Sequence, residues 1–321
     1  MLAVVVVSLG TGPYALSPSQ ILTSLTHHVS GSEAGDGAVD TALFRIRLPR
    51  VAAAVLIGAG LSAAGAAYQS LFRNPLASPD LLGVSAGAGL GAVVGILLGL
   101  PVVAIQFFGF AGGLVTVAVV VFLAARLGRG DILVLVLAGI VVGTLAGAGI
   151  SLVKVLADPY DQLPAITFWL LGSLAAIKGA DVAAVAPTIV LGLAVLVLMR
   201  WRIGVLSLGD DEARTLGIEV GRLRALIIVA ATLITASAVA VSGVIGWVGL
   251  MVPHIARLIV GPRFDRMLPV AALSGAIFLT MVDTAARTAA RVEIPLGILT
   301  ALVGGPAFVW LLARSRRRSL S

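Results

Sequence analysis

The residues able to do chemistry in this 321-residue chain are few, and they fall mostly in four short stretches. The first is LGDDEARTLGI, in which Asp210, Asp211 and Glu212 follow Gly209, with Arg214, Leu216 and Gly217 beyond them. Acids at the start of a short helical run with a base further on are favourable helix electrostatics. Leu206, Leu208, Ala213, Leu216 and Ile218 put more apolar surface among those charges than a solvated loop needs. The stretch therefore reads either as such a loop or as a pair of short helices that present a face to a partner. The second is SGVIGWVGLMVPHIARLIVG, where Gly243, Gly246 and Gly249 recur every third residue and Pro253 interrupts the helix. A proline there frees a backbone carbonyl, the pattern of a kinked or broken helix beside a cavity. The third is Asp283, inside an apolar run, where a charge must face protein, a cavity or a basic partner. Arg287 lies one helical turn on, so an intrahelical pair is the economical reading and a proton or ion relay the functional alternative. The fourth is Arg47 and Arg50 around Pro49, which suit either a docking surface for an acidic partner or an interfacial anchor.

None of these completes an active site. There is no cysteine, and His27, His28 and His254 are too few and too scattered for a histidine metal centre. His254 reads as a hydrogen-bonded residue near an interface before it reads as a ligand. The chain holds no P-loop, no G-x-S-x-G, no H-E-x-x-H and no paired carboxylates. It is expected to be no enzyme and to bind no cofactor or metal itself, so any ATP hydrolysis has to come from another chain.

The elements that carry these residues are set by composition. Hydrophobic residues make up 59% and charged residues only 12%, too little polar surface to coat a soluble fold of this length. Lipid removes that requirement. The 38 glycines fit the same setting, because helices in a bilayer associate through close backbone approach. A net charge of +7 invites a nucleic-acid reading, but the charges sit in short gaps between apolar runs and form no continuous basic face.

About twenty apolar residues span a bilayer core. Apolar runs predict ten spans near 2–20, 51–70, 81–100, 102–125, 133–155, 182–200, 225–243, 245–260, 267–285 and 295–313, all in one transmembrane domain over 1–321. The first reads as a short transmembrane helix before it reads as a signal peptide, since no basic segment precedes it. Residues 28–50 are polar. Residues 156–181 mix proline, aromatic and charge, as an interfacial helix does. Residues 201–224 form the longest charged insertion. With both termini in the cytoplasm, Arg45, Arg47, Arg50, Lys154, Lys178, Arg287 and Arg291 fall outside. The rest of the 22 basic residues, including Arg126, Arg129 and the tail Arg314, Arg316, Arg317 and Arg318, fall inside, as the positive-inside rule asks.

The combination resembles the FecCD family of ABC importer permeases, the type II group that includes the vitamin B12 permease BtuC and the ferric-siderophore and haem permeases. The matching stretches are RLPR (47–50), GAGLSAAGAAYQSLFRNPLASPDLLGVSAGAG (58–89), VLAGI (136–140), FWLLGSL (168–174), LGDDEARTLGI (208–218), SGVIGWVGLMVPHIARLIVG (242–261), and Asp283 through EIPLGILTALVGGPAFVWLL (293–312). They run over nearly the whole chain in the family's order. The resemblance implies an all-α, ten-helix subunit in the inner membrane of a bacterium or archaeon. It implies pairing with a second permease subunit, a homodimer by default, around a path lined by the fifth and tenth spans. Two cytosolic ATPases would bind the ATP and Mg, and a substrate-binding protein would dock outside. Asp210, Glu212, Arg214, Leu216 and Gly217 would sit against the ATPases, and Arg47, Arg50 and Arg287 would meet acidic residues of the binding protein. The cargo expected by default is a ferric siderophore, with haem or cobalamin as alternatives. An ion-driven secondary transporter is the remote rival, and it lacks a clear intramembrane relay.

Overall fold

The computed structural model describes residues 1–12, 14–30, 37–128 and 131–318, with side chains through residue 309, Val29 excepted. Arg129 and the side chains of Arg314, Arg316, Arg317 and Arg318 lie outside the described residues. Every element among the described residues is helical. In order they are α1 (Leu2–Gly10), α2 (Pro18–Ser30), α3 (Gly37–Asp40), a π-helical stretch (Thr41–Arg47) and α4 (Leu48–Leu71). A 3-10 turn (Pro79–Leu82) leads into α5 (Val84–Leu97), α6 (Val102–Gly128), α7 (Ile132–Leu156), α8 (Gln162–Leu171) and α9 (Gly179–Leu198). The chain ends with α10 (Arg200–Leu206), α11 (Asp210–Thr215), α12 (Val220–Ser242), α13 (Val248–Val260), α14 (Phe264–Ala286) and α15 (Leu296–Arg318).

Six helices are long and apolar enough to cross a membrane: Gly37–Leu71, α6, α7, α9, α12 and α14. The protein is therefore a polytopic membrane protein. Shorter apolar helices stand where other spans were expected, among them α5 and α13. The expected first span over 2–20 is not continuous. It ends at Gly10, and the next helix, α2, begins only at Pro18. The polar stretch before α4 is partly helical, and a short helix, α8, stands within 156–181.

The bundle is built around α4 and α12. Of the most apolar window of each helix, 78% is buried for Gly37–Leu71 and 72% for α12, against 17% for α7 and 22% for α9. The first two are the core, and the last two turn most of their surface outward. Small residues let the central helices touch at the backbone. A Cβ on Gly58 of α4 would stand 2.3 Å from the Gly275 carbonyl oxygen of α14, and one on Gly65 would stand 1.8 Å from the Gly249 carbonyl oxygen of α13. Neither approach survives a side chain.

The antiparallel pair α4 and α14 gives the bundle two distinct ends. At one, Arg50 meets Asp283. At the other, Arg73 lies 3.8 Å from Asp210. Gly275→Val is expected to destabilise the detergent-solubilised chain by about 3 kcal/mol, because overpacking must separate α4 from α14. Gly221→Ala, where a Cβ meets open space, is expected to be neutral or stabilising by up to about 1 kcal/mol. Denaturant or thermal unfolding of both variants in the same detergent checks the contrast.

Candidate functional site

At the Arg73 end, α10 and α11 form a short helical hairpin ahead of α12. Ile203, Leu206, Ala213 and Ile218 are buried and seat it on the bundle. Gly217 closes α11 in the left-handed conformation, φ 75°, donating to the Arg214 carbonyl while the Ile218 N–H reaches the Ala213 carbonyl. This is the glycine end-cap of a helix, and it explains why glycine stands there. Glu212 folds back on the other end, its carboxylate filling the space a Cβ on Gly209 would need. Asp210 ties the hairpin to two core helices. One carboxylate oxygen accepts from Arg224 of α12 at 2.6 Å, and the other faces Arg73 at 3.8 Å. Asp211 and Arg214 pair with each other on the solvent side at 2.8 Å. Leu208 and Leu216 remain 70% and 56% exposed. The hairpin is thus buried on one face, ionically linked to Arg224 of α12 and to Arg73 just beyond α4, and carries two exposed leucines beside the Asp211–Arg214 pair on the face turned away. Beside it opens a cavity of about 500 Å³, bordered by Gln69, Arg73, Arg200, Trp201, Arg257 and Arg263.

At the opposite end, Arg47, Arg50 and Arg287 come together as the sequence led us to expect, but their guanidinium groups point inward. Arg50 donates to Asp283 at 2.8 Å and holds Glu293 in a two-pronged bond at 3.0 and 2.5 Å. Arg47 donates to the carbonyls of Leu9, at 2.5 Å, and Tyr14. Arg287 donates to the carbonyls of Thr11 and Ser8 at 2.8 and 2.5 Å. Arg47 and Arg50 are only 4% and 5% exposed. In this conformation these three side chains are turned inward and do not form an open surface. Their charge is spent on buried acids and on the carbonyl end of α1. The expected Asp283–Arg287 pair is present, 3.6 Å apart, but Asp283 has a closer partner in Arg50, 233 positions away.

The Gly243–Pro253 segment is broken, though not at the proline. Gly243 ends α12 with φ 66°, Trp247 takes an unusual φ of 71°, and α13 then runs through Pro253 without interruption. Pro253 cannot donate to the Gly249 carbonyl, and that oxygen is the one that abuts Gly65. Gln69 donates to the next carbonyl, Leu250, at 3.0 Å. Gly246 has nothing near its α-carbon face. Trp247 lies against Gly304 of α15 and edge-on to Phe308, and His254 meets the same phenyl ring. Among the described residues no three His, Asp or Glu side chains cluster as metal ligands would.

The sequence pattern of the FecCD transport family matches residues 1–314. The chain belongs to the FecCD transport family. It is a permease subunit of an ABC transporter, without catalytic residues of its own, and permeases of this kind work with ATPase and substrate-binding components. This FecCD permease is 35% identical to the molybdate import permease MolB of Haemophilus influenzae over 98% of its length and 94% of that protein's. It is 42% identical to the cobalamin import permease BtuC of Halobacterium salinarum over 86% of its length and 74% of that protein's. A solved structure assigned to the metal-chelate type of ABC transporter, in an inward-facing conformation, superposes with a TM-score of 0.88 at 34% identity, covering 98% of this chain and 96% of that one.

One residue escaped the sequence reading. Asp80 is the single acid between positions 41 and 130, and that isolation was the available signal.

The buried cluster predicts that Arg50→Gln destabilises this permease by about 3–5 kcal/mol, since it leaves Asp283 and Glu293 short of their main partner. Unfolding in detergent, read against the exposed substitution Arg214→Gln, tests it. A cost below 1 kcal/mol would refute the inward assignment.

Proposed function

We propose that this chain is the membrane-spanning half-channel of an ATP-driven importer that moves a bulky iron chelate, a ferric siderophore, by alternating access. Two copies would enclose the path, with α7 and α15 facing it. The nearly naked surface of α7, 17% buried in its apolar window, fits a helix that waits for a partner or a path. In this reading α1, α5, α13 and α15 join the six long helices as ten crossings, and the Arg73 end with both termini lies in the cytoplasm. Haem and cobalamin are the alternative cargoes. The cobalamin permease of Halobacterium salinarum supports the second of these.

The observation that carries the proposal is the α10–α11 hairpin. It exposes Leu208 and Leu216 to a partner while Asp210 grips Arg224 and sits beside Arg73. A push on the exposed face therefore reaches α12 through a charge-assisted bond, and the end of α4 through the charge of Arg73 just beyond it. Asp210, Glu212, Arg214, Leu216 and Gly217 shape that hairpin, and a cytosolic ATPase would close on it when ATP binds. The expected consequence is specific. Leu208→Glu with Leu216→Glu should leave the chain folded and abolish co-purification of the ATPase subunits.

The binding protein would dock at the other end. There the exposed cations are Arg45 and Arg291, with Arg47, Arg50 and Arg287 fixing the corner beneath them. Reversing Arg45 and Arg291 together to Glu is expected to weaken an acidic binding protein by about tenfold, mostly through its association rate, without loss of assembly. Unchanged affinity would remove the docking surface from this corner.

The cargo is tested by uptake of radioactive iron, supplied as the host's own ferric siderophores, in a strain deleted for this gene and in its complemented control. Loss of uptake that returns on complementation supports the iron-chelate reading. Unchanged uptake, in a background without other iron-chelate importers, moves the cargo to haem or cobalamin.

A further inference from the structure

A polar feature of the bundle lies apart from the arginine corner and the hairpin. It is a cavity of about 250 Å³ between α4, the 3-10 turn before α5, α12 and the broken α12–α13 junction. Its lining includes Asp80, Ser85, Thr235, Gly246 and Trp247. The cavity is deep in the bundle. The Leu81 carbonyl beside Asp80 abuts Gly139, seven residues into α7, which is ~10 Å from that helix's start. On α4 the cavity reaches Leu61, ten residues before the helix ends at Leu71, or ~15 Å.

An acid at that depth carries a functional burden, because a lone charge there is costly unless something answers it. Asp80 is exposed on the single subunit and accepts a hydrogen bond from the Ser85 hydroxyl. Among the described residues no salt bridge involves it. A local helix cap would explain that much. Thr235 is what a cap does not explain. It is 2% exposed, it lines the same cavity, and its hydroxyl has no hydrogen-bond partner. A buried hydroxyl without a partner costs stability unless the cavity brings it one. The space is right for a small guest: roughly eight waters at bulk density, so a hydrated ion or an alkylammonium arm, and not a whole chelate.

We propose that Asp80, Ser85 and Thr235 form an intramembrane notch that accepts a cation, either a free monovalent ion or the protonated amine of a passing cargo. One carboxylate with neutral oxygens answers a single positive charge, whereas a divalent ion takes more carboxylate ligands. The Leu81 carbonyl beside Asp80 abuts Gly139 of α7, so a cargo moving along a path lined by α7 would pass close to the notch. The cargo arm of this idea rests on the chelate-import reading above, and the ion arm does not.

The test uses the whole transporter, with its ATPase and binding-protein components, reconstituted in liposomes. Asp80→Asn keeps an oxygen for the Ser85 hydroxyl while removing the charge, and Asp80→Glu restores the charge. In the first arm, uptake is measured for a neutral ferric trihydroxamate and for one carrying a free amine. In the second, ATPase turnover is compared in equimolar sodium, potassium and choline chloride. If the cation comes from the cargo, Asp80→Asn lowers uptake of the amine-bearing chelate by about tenfold relative to the neutral one, and Asp80→Glu recovers most of it. If it comes from solvent, wild-type turnover differs between the alkali ions and choline, and Asp80→Asn erases the difference. A wild-type transporter that moves neither chelate defeats the proposed cargo but leaves the second arm to decide on the notch. Should Asp80→Asn fail to assemble, Thr235→Val carries the same comparisons with a smaller expected effect. A variant indistinguishable from wild type in both arms overturns the proposal.

Discussion

In a bilayer core no water is at hand for a backbone N–H or C=O that its helix leaves unpaired, so every helix that ends at depth must have its last groups met by protein. This bundle contains several such ends. The carbonyls of Ser8, Leu9 and Thr11, at the close of the nine-residue α1, are met by the guanidinium groups of Arg287 and Arg47. A cation at a helix C-terminus also faces the negative end of the helix dipole. At the α12–α13 break the Ser242 carbonyl is met by the Ser173 N–H at 2.8 Å, and the Gly172 carbonyl by the Leu296 N–H at 2.9 Å. The Leu250 carbonyl is met by Gln69. Once these ends are satisfied, short helices become usable parts, and the fold does not have to be a bundle of uninterrupted rods.

The arginines at that end consequently do two jobs with one geometry. Arg50 neutralises Asp283 and Glu293, and Arg47 and Arg287 hold α1 against the same corner. Taking three cations and two acids out of water is expensive, and such a cluster is weak evidence for stability as such. Its value is positional: it joins the start of α4, the end of α14 and the end of α1 at fixed distances. With the backbone contacts Gly58–Gly275 and Gly65–Gly249, it makes α4, α13 and α14 one stiff body. A stiff body is what lets a push at the hairpin be felt far away, since soft packing would absorb it.

Much of this was legible in the sequence, and the residues show where legibility ends. Long apolar runs identified α6, α7, α9, α12 and α14, because twenty apolar residues have few other uses. The mixture of acids and leucines over 206–218 marked the hairpin. What could not be read was who answers whom. Asp283 has Arg287 one turn away, and proximity in sequence made that the natural pair, yet Arg50 arrives from another helix with better geometry. The same blindness made Arg47 and Arg50 look like outward charges, when the partners of Arg47 are carbonyls that any residue could supply and those of Arg50 are acids more than 230 positions away. The break after Gly10 was hidden because the side chains that hold it, Arg47 of the π-helical stretch and Arg287 just beyond α14, lie far along the chain. Pro253 was a misleading cue of another kind: the missing donor is absorbed by close packing on Gly65, and the break falls earlier, at Gly243–Trp247.

That displacement matters for how such a bundle moves. A joint needs backbone whose torsions can change without losing many hydrogen bonds, and α13 with its buried proline is too tightly held against α4 to serve. The five residues ahead of it are different. Gly243 and Trp247 both sit at positive φ, Gly246 has open space beside it, and Trp247 bears on Gly304 of α15. A change of torsion there would tilt α15 relative to the stiff body while α4 and α14 stayed joined. The cluster of arginines and the glycine contacts thus define what stays fixed, and the unwound junction is the place left where the two faces of the path can exchange.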